Sequence, residues 1–366
     1  RQSLQADEST LKPGCGWLPP DWMPHENIRR ALRSLSRAEP TALTDYGTPK
    51  GFVPLREHLL WRMGEHRIEA SLDQVMLTSS GTHALELLCR FFLEPGDIVL
   101  VDDPCYFNFH ALLKAHRVKV VSVPMTPNGP DMERFEQVLL EHQPRLYITN
   151  SAIHNPTGAI VTPATAHKIL NLAEKSDLVI IEDDIFGDME VSPAPRLAAL
   201  DGLNRVIHIG SFSKTLSAAI RCGFIATKTR WIEPLTDLKI ATSFGGEPFG
   251  AQVTWRVLKD GSYRKHLSEL RQRLSKAMGK TNSRLSKIGI TPWINTKAGM
   301  YLWSQLPAGF DAIEVARKAR AQGIILAPGN VFSLNNSASR FLRFNVAQSS
   351  SPKIYEVLQS IILEQG

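Results

Sequence analysis

Gly210-Ser211-Phe212-Ser213-Lys214-Thr215, completed by Arg221-Cys222-Gly223, follows the apolar run Arg205-Val206-Ile207-His208-Ile209. That run reads as a buried strand. A strand ending in Gly-Ser-Phe-Ser-Lys sets small hydroxyls and one amine at the carboxyl edge of a sheet, where open α/β folds bind ligands. Ser211 and Ser213 leave room for a bulky planar group to approach the lysine. Lysine turns nucleophilic toward carbonyls when burial or a neighbouring cation lowers its pKa, and Arg221 is a candidate neighbour. An isolated Ser-x-x-Lys describes many solvated loop lysines equally well. The rest of the chain decides between the two.

Working outward, the same texture recurs upstream. Gln74 to Thr78 reads as a strand, Ser79 to Thr82 as a tight turn, and His83 to Leu93 as a helix. Further strands are expected at Ile98 to Val101, Val118 to Val123, Leu146 to Thr149 and Leu178 to Ile181. Helices are expected at Asp131 to His142 and Pro163 to Lys175. Strands separated by helical patterns predict a parallel sheet covered on both faces. Before them, residues 1 to about 16 read as a polar tail or linker, then Gly16 to Pro24 as a Pro-broken aromatic segment that must pack on something. Helices follow at His25 to Arg37 and from Pro54 to Glu65. After about Arg230 the pattern shifts to long basic helices, then short strands at Met300 to Trp303 and Phe341 to Asn345, and a helix from Pro352. The expected architecture is a three-layer α/β/α fold with a mostly parallel sheet and a smaller α+β domain. Its segments are 1–44 (N-terminal segment and helix on the small domain), 45–245 (large domain) and 246–366 (small domain).

The 366 residues have the balanced composition of a soluble globular protein and a net charge of +6 with no dense basic run. Charge alone therefore gives no nucleic-acid surface. The four cysteines form neither a Cys-x-x-Cys pair nor a zinc spacing, so no metal site is expected and reduced thiols in the cytoplasm are. No apolar run has the length of a membrane span.

Ser-Phe-Ser-Lys-Thr-Leu followed by Arg221 and Gly223 resembles the Schiff-base lysine segment of fold type I enzymes dependent on pyridoxal phosphate, the class I/II aminotransferase family. The likeness runs from about Pro19 to the C-terminus. It implies that Lys214 carries the cofactor and later moves the substrate Cα proton. Ser80-Gly81-Thr82, at a strand-to-helix turn, is by itself an N-cap or an anion site. The resemblance makes it the phosphate cradle, with Ser211 and Arg221, while Tyr46 in Tyr-x-x-x-x-Gly reaches the phosphate from a second subunit of a homodimer. Tyr106 is implied as the ring against the pyridine face. In Asn155-Pro156-Thr157-Gly158, Asn155 is implied as donor to the ring oxygen and as part of the substrate site. Asp183, at the end of an apolar strand, would be costly unpaired, and a protonated pyridine nitrogen would pair it. Asp184 is the rival. Arg343 alternates with apolar residues in Arg340 to Asn345 and is implied as the fork for an α-carboxylate. Arg340 faces elsewhere on a period-two strand. An amino acid and a 2-oxo acid are the implied substrates.

One position departs from the family pattern. A tyrosine that donates to the ring oxygen normally follows the Asp by two or three residues, and here Ile185 and Phe186 stand there. Decarboxylation, elimination or racemisation would use the same residues. A second resemblance, in Gly16 to Pro24, Asp103 to Tyr106 and Asn128 to Asp131, is to the aminotransferase-like half of GntR/MocR-type transcription regulators. It implies a sensor of pyridoxal phosphate and amino compounds that meets DNA only through a winged helix-turn-helix ahead of Arg1, absent from these residues.

Overall fold

A computed structural model describes residues 2–246 and 248–364. Arg1, of the expected N-terminal segment, and Glu247 and 365–366, of the expected small domain, lie outside the described residues.

Eight strands form the larger sheet: β1 (Val75–Thr78), β2 (Ile98–Asp103), β3 (Lys119–Thr126), β4 (Gly129–Pro130), β5 (Leu146–Thr149), β6 (Val179–Asp183), β7 (Val206–Ser211) and β8 (Gly223–Ala226). Their spatial order is β1-β8-β7-β6-β5-β2-β3-β4. The run β7, β6, β5, β2, β3 is parallel throughout. Antiparallel β8 is inserted between β7 and β1. Inserting one reversed strand leaves β1 pointing the same way as β7, so both release their chains at one edge.

Successive side chains on a strand face opposite sides, and the core divides accordingly. Val75, Leu77, Leu100, Tyr147, Ile180 and Val206 join one apolar cluster. Met76, Val99, Val101, Ile148, Ile181 and Ile207 join another. Helices Gly81–Phe92 and Phe107–Ala115 cover the second face. Helices Val53–Glu65, Met132–His142 and Pro163–Lys175 cover the first. Two are pinned at their starts by side chains: Asp131 accepts from Glu133 and Arg134 N–H, and Thr162 from Thr165 N–H. This is the expected three-layer sandwich.

Past the long helix Ser262–Lys287 comes an antiparallel sheet of β9 (Thr291–Pro292), β10 (Tyr301–Gln305), β11 (Ala327–Pro328) and β12 (Phe341–Asn345), ordered β11-β12-β10-β9. Arg343 sits on β12, one of its two inner strands, opposite Trp303 and Ala327.

The N-terminal stretch departs from expectation. Residues 11–17 are a strap rather than a tail. Leu11 N–H donates to Gly323 O and Ile325 N–H to Leu11 O, Gly14 N–H bonds Ile325 O at 3.0 Å, and Asn345 N–H bonds Pro13 O at 2.7 Å. Cys15 is buried. Polarity misled because the strap is held by backbone groups satisfied along the small sheet, which leave no mark in side-chain periodicity.

Candidate active site

Chain reversals at the ends of β1, β2, β5, β6 and β7 gather the chemistry-bearing residues at one sheet edge. Lys214 follows β7 by three residues, and its amine donates to the carbonyl of Gly16 in the strap. Burial, reinforced by the nearby Arg343 cation, lowers its pKa to about 8. The lowered pKa raises the share of neutral amine, the form that attacks a carbonyl carbon.

Asp183 closes β6 and is buried. Its Oδ1 accepts from Ile185 N–H at 3.1 Å, and among the described residues no cation is ion-paired with it. Burial pushes its pKa up to about 6, with the Asp184 charge adding in the same direction. Asp184 is engaged elsewhere. Its Oδ2 accepts from Arg196 Nε at 3.0 Å, and Arg196 closes a fork on Glu190 at 2.9 and 3.0 Å. Asp184 is thus ion-paired through one oxygen, whereas Asp183 is buried with no cation paired to it among the described residues.

Asn155 follows β5 and is buried. Arg343 Nη1 donates to its Oδ1 at 2.9 Å, which leaves the Asn155 amide N–H groups to donate in another direction. Arg343 is itself buried, with Nη2 on Gly14 O at 3.1 Å and its guanidinium 4.1 Å from the Tyr301 ring centroid. Its Nε has no hydrogen-bond partner among the described residues. Tyr106, three residues past β2 at the start of helix Phe107–Ala115, packs on Phe107 and Phe109 and shares an electrostatic neighbourhood with Arg343 and Asp183.

The segments expected to form the cradle meet by close backbone approach. Thr78 and Ser211 both lie opposite Gly223, in β1 and β7. A side chain at Gly223 would come within 2.6 Å of the Ser80 carbonyl carbon and 3.0 Å of Gly81 N. Ser80 Oγ accepts from His83 N–H at 3.0 Å, so it caps helix Gly81–Phe92 while the helix N-terminus stays open to an anion. Thr82 and Arg221 are exposed at the rim. Tyr46 is 72% exposed, lies on Phe244, and lines with Arg221 and Lys239 a cavity of about 380 Å³ beside the cradle. Within one chain it does not join the Lys214 cluster.

Taken together, the cradle and the Asp183 carboxyl suit a ligand with a dianionic group at one end and a protonated ring nitrogen at the other. Two features escaped the sequence reading: the strap carbonyls of Gly14 and Gly16, and the Tyr301 phenol. The Gly14-Cys15-Gly16 spacing was the only signal for the first.

The profile of the family described as aminotransferase class I and II matches residues 19–361. The chain is 29% identical over 358 residues to the aromatic-amino-acid aminotransferase 1 of Thermococcus litoralis, covering 94% of this chain and 86% of that one. It is 27% identical over 365 residues to the HTH-type transcriptional regulator NorG of Staphylococcus aureus, covering 98% and 81%. Among solved structures, a Pyrococcus horikoshii kynurenine aminotransferase superposes with a TM-score of 0.90 at 27% identity, covering 100% of this chain and 96% of that one.

Proposed function

The chain belongs to the aminotransferase class I and II family, and from that premise we propose which of its residues run the reaction. Pyridoxal phosphate is the cofactor, and the reaction passes an amino group between an amino acid and a 2-oxo acid. Bound here, the cofactor supplies an aldehyde carbon and an electron-accepting ring.

Lys214 would hold the cofactor through its amine and, once displaced by the incoming amino acid, would move the proton at the substrate Cα. Asp183 would hold the proton on the ring nitrogen, Asn155 would donate to the ring oxygen, and Tyr106 would supply a ring to stack on it. Ser80, Gly81, Thr82, Ser211 and Arg221 would hold the phosphate. Arg343 takes the substrate carboxylate on its fork, giving up Gly14 or Asn155 to do so. One observation carries this assignment: the Lys214 amine is buried, lowered to about 8, and set in one cluster with Asp183 and Arg343. Borohydride reduction of the cofactor-loaded protein followed by peptide mass spectrometry tests it. The adduct is expected on Lys214, and an adduct on any other lysine overturns it.

The proposal extends to assembly and place. A homodimer is supported by the exposed Tyr46 and Phe244, 72% and 65% accessible beside the phosphate cradle, and Tyr46 would complete the partner's site. A cytoplasmic location agrees with four buried cysteines. No helix among the described residues is long and apolar enough to cross a membrane. The segments 1–44, 45–245 and 246–366 are kept as the working division into N-terminal segment, large domain and small domain.

A regulator's effector domain is the second reading, favoured by the match to NorG over 98% of this chain. Turnover separates the two. Repeated transamination favours the enzyme, and a single exchange that then stops favours the effector.

A further inference from the structure

The phenol absent from positions 185 and 186 has a counterpart across a ring contact. Phe186 is buried and meets Tyr301 of β10 edge to face, with centroids 5.6 Å apart and an interplanar angle of 76°. The Tyr301 hydroxyl lies 3.6 Å from the point where a Gly16 side chain would begin, and the Lys214 amine lies 3.8 Å from that same point. Among the described residues that hydroxyl makes no hydrogen bond, although Tyr301 is only 6% accessible. With its ring buried and its hydroxyl unbonded, Tyr301 is free to donate to an acceptor placed beside it.

We propose that Tyr301 replaces the missing tyrosine, its hydroxyl donating to the cofactor's ring oxygen from the small sheet instead of from the segment after Asp183. This rests on the assignment of Lys214 and Asp183 above. Two contacts hold the Tyr301 ring in place. The Arg343 guanidinium covers one face, 4.1 Å from the centroid, and Phe186 supports its edge. Phe186 is then a fitting neighbour, since a second hydroxyl there would compete for the same acceptor. Tyr106 is the other phenol nearby, but its ring packs on Phe107 and Phe109 and makes no ring contact with Phe186. Burial pushes the Tyr301 pKa up to about 12, against the pull of Arg343, so the phenol keeps its proton through the working range. The charged and titratable groups acting on it and on Lys214 are Arg343, Asp183, Cys15 and Tyr106.

Removing the donor would destabilise the ring oxyanion and hold the shared proton more tightly on the Lys214 nitrogen. Tyr301→Phe keeps the ring and deletes only the hydroxyl. Absorbance titration of the cofactor-loaded protein is expected to show the midpoint rising by about one pH unit in that variant. Phe186→Tyr added to it should bring the midpoint back. An unchanged midpoint in Tyr301→Phe overturns the proposal. If that variant does not hold cofactor, Phe186→Tyr alone decides. No fall in its midpoint supports a donor already at 301, and a fall of about one unit overturns it. Borohydride trapping on Lys214 in the parent protein, run alongside, separates failure of this inference from failure of the Lys214 assignment.

Discussion

Arg343 Nη1 donates to Asn155 Oδ1 at 2.9 Å, a single bond that joins the small antiparallel sheet to the loop after β5 of the large one. The carboxylate fork is therefore aimed by the same residue that is assigned to the ring oxygen. On the proposed assignment, substrate recognition and cofactor electronics would share one side chain.

The first prediction follows from that bond. Arg343→Leu removes the carboxylate fork and also leaves Asn155 Oδ1 without its donor. Amino acid binding should weaken by about 1.5–3 kcal/mol, the range for a hydrogen bond to a charged group, while amines lacking a carboxylate bind as before. Spectral titration of the loaded variant with both ligand classes measures this. Equal losses for both classes would move the carboxylate role to another residue.

Asp183 gives a prediction for the cofactor-free protein. Its folded-state pKa of about 6 lies above its ordinary 3.8. A raised carboxyl stabilises the fold while protonated, so its contribution is complete below about pH 3.8 and gone once the pH passes about 6. Lys214 does not blur this window. Its pKa is lowered from 10.5 to about 8, so its contribution is full above 10.5 and lost as the pH falls through about 8. Asp183→Asn should therefore flatten the decline in stability between about pH 4 and 7, gaining up to about 3 kcal/mol over the parent at pH 7. Denaturant melts at several pH values check it. Parallel curves for the two proteins would contradict the raised carboxyl.

Behind Asp183, Arg196 is fully buried and its pKa is driven upward by the carboxylates of Asp184 and Glu190, against the cost of burial. Arg196→Met would leave both carboxylates buried without their cation. A loss of about 3–5 kcal/mol in denaturant unfolding is expected, because breaking a buried pair strands its charges. A loss below about 1 kcal/mol would mean that water reaches the cluster.

How much of this was legible in the sequence depended on whether a residue's neighbours are local. The β5, β6 and β7 runs are apolar on both faces, which marks covered parallel strands. Lys214, Asn155 and Asp183 stand at strand ends or a few residues past them, so their common edge followed from strand direction alone. Strand β8 was missed because Gly223–Ala226 is four residues long and pairs antiparallel between two parallel neighbours. Helix Phe107–Ala115 was missed too, its apolar residues running nearly all round with no clear stripe. Tyr301 had no local signal at all. An aromatic on an apolar strand is ordinary core until the fold sets it against Phe186.

The strap supplies the last prediction. Gly14 and Gly16 each offer a carbonyl to a cation of the site, Gly14 to Arg343 and Gly16 to Lys214. Their tolerance to a side chain differs sharply. A Cβ on Gly14 would lie 2.4 Å from Ala327 N and from the Leu326 carbonyl carbon, both backbone atoms that cannot turn aside. A Cβ on Gly16 would meet nothing nearer than 3.6 Å, an ordinary contact. Gly14→Ala must therefore lift the strap off Ile325 and Ala327, at a cost of about 1–3 kcal/mol from overpacking. Arg343 loses one of its two acceptors with it. The expected result is faster proteolysis within residues 11–17 in Gly14→Ala, with Gly16→Ala close to the parent. Equal behaviour of the two variants would show that the strap is not held by the close approach at Gly14.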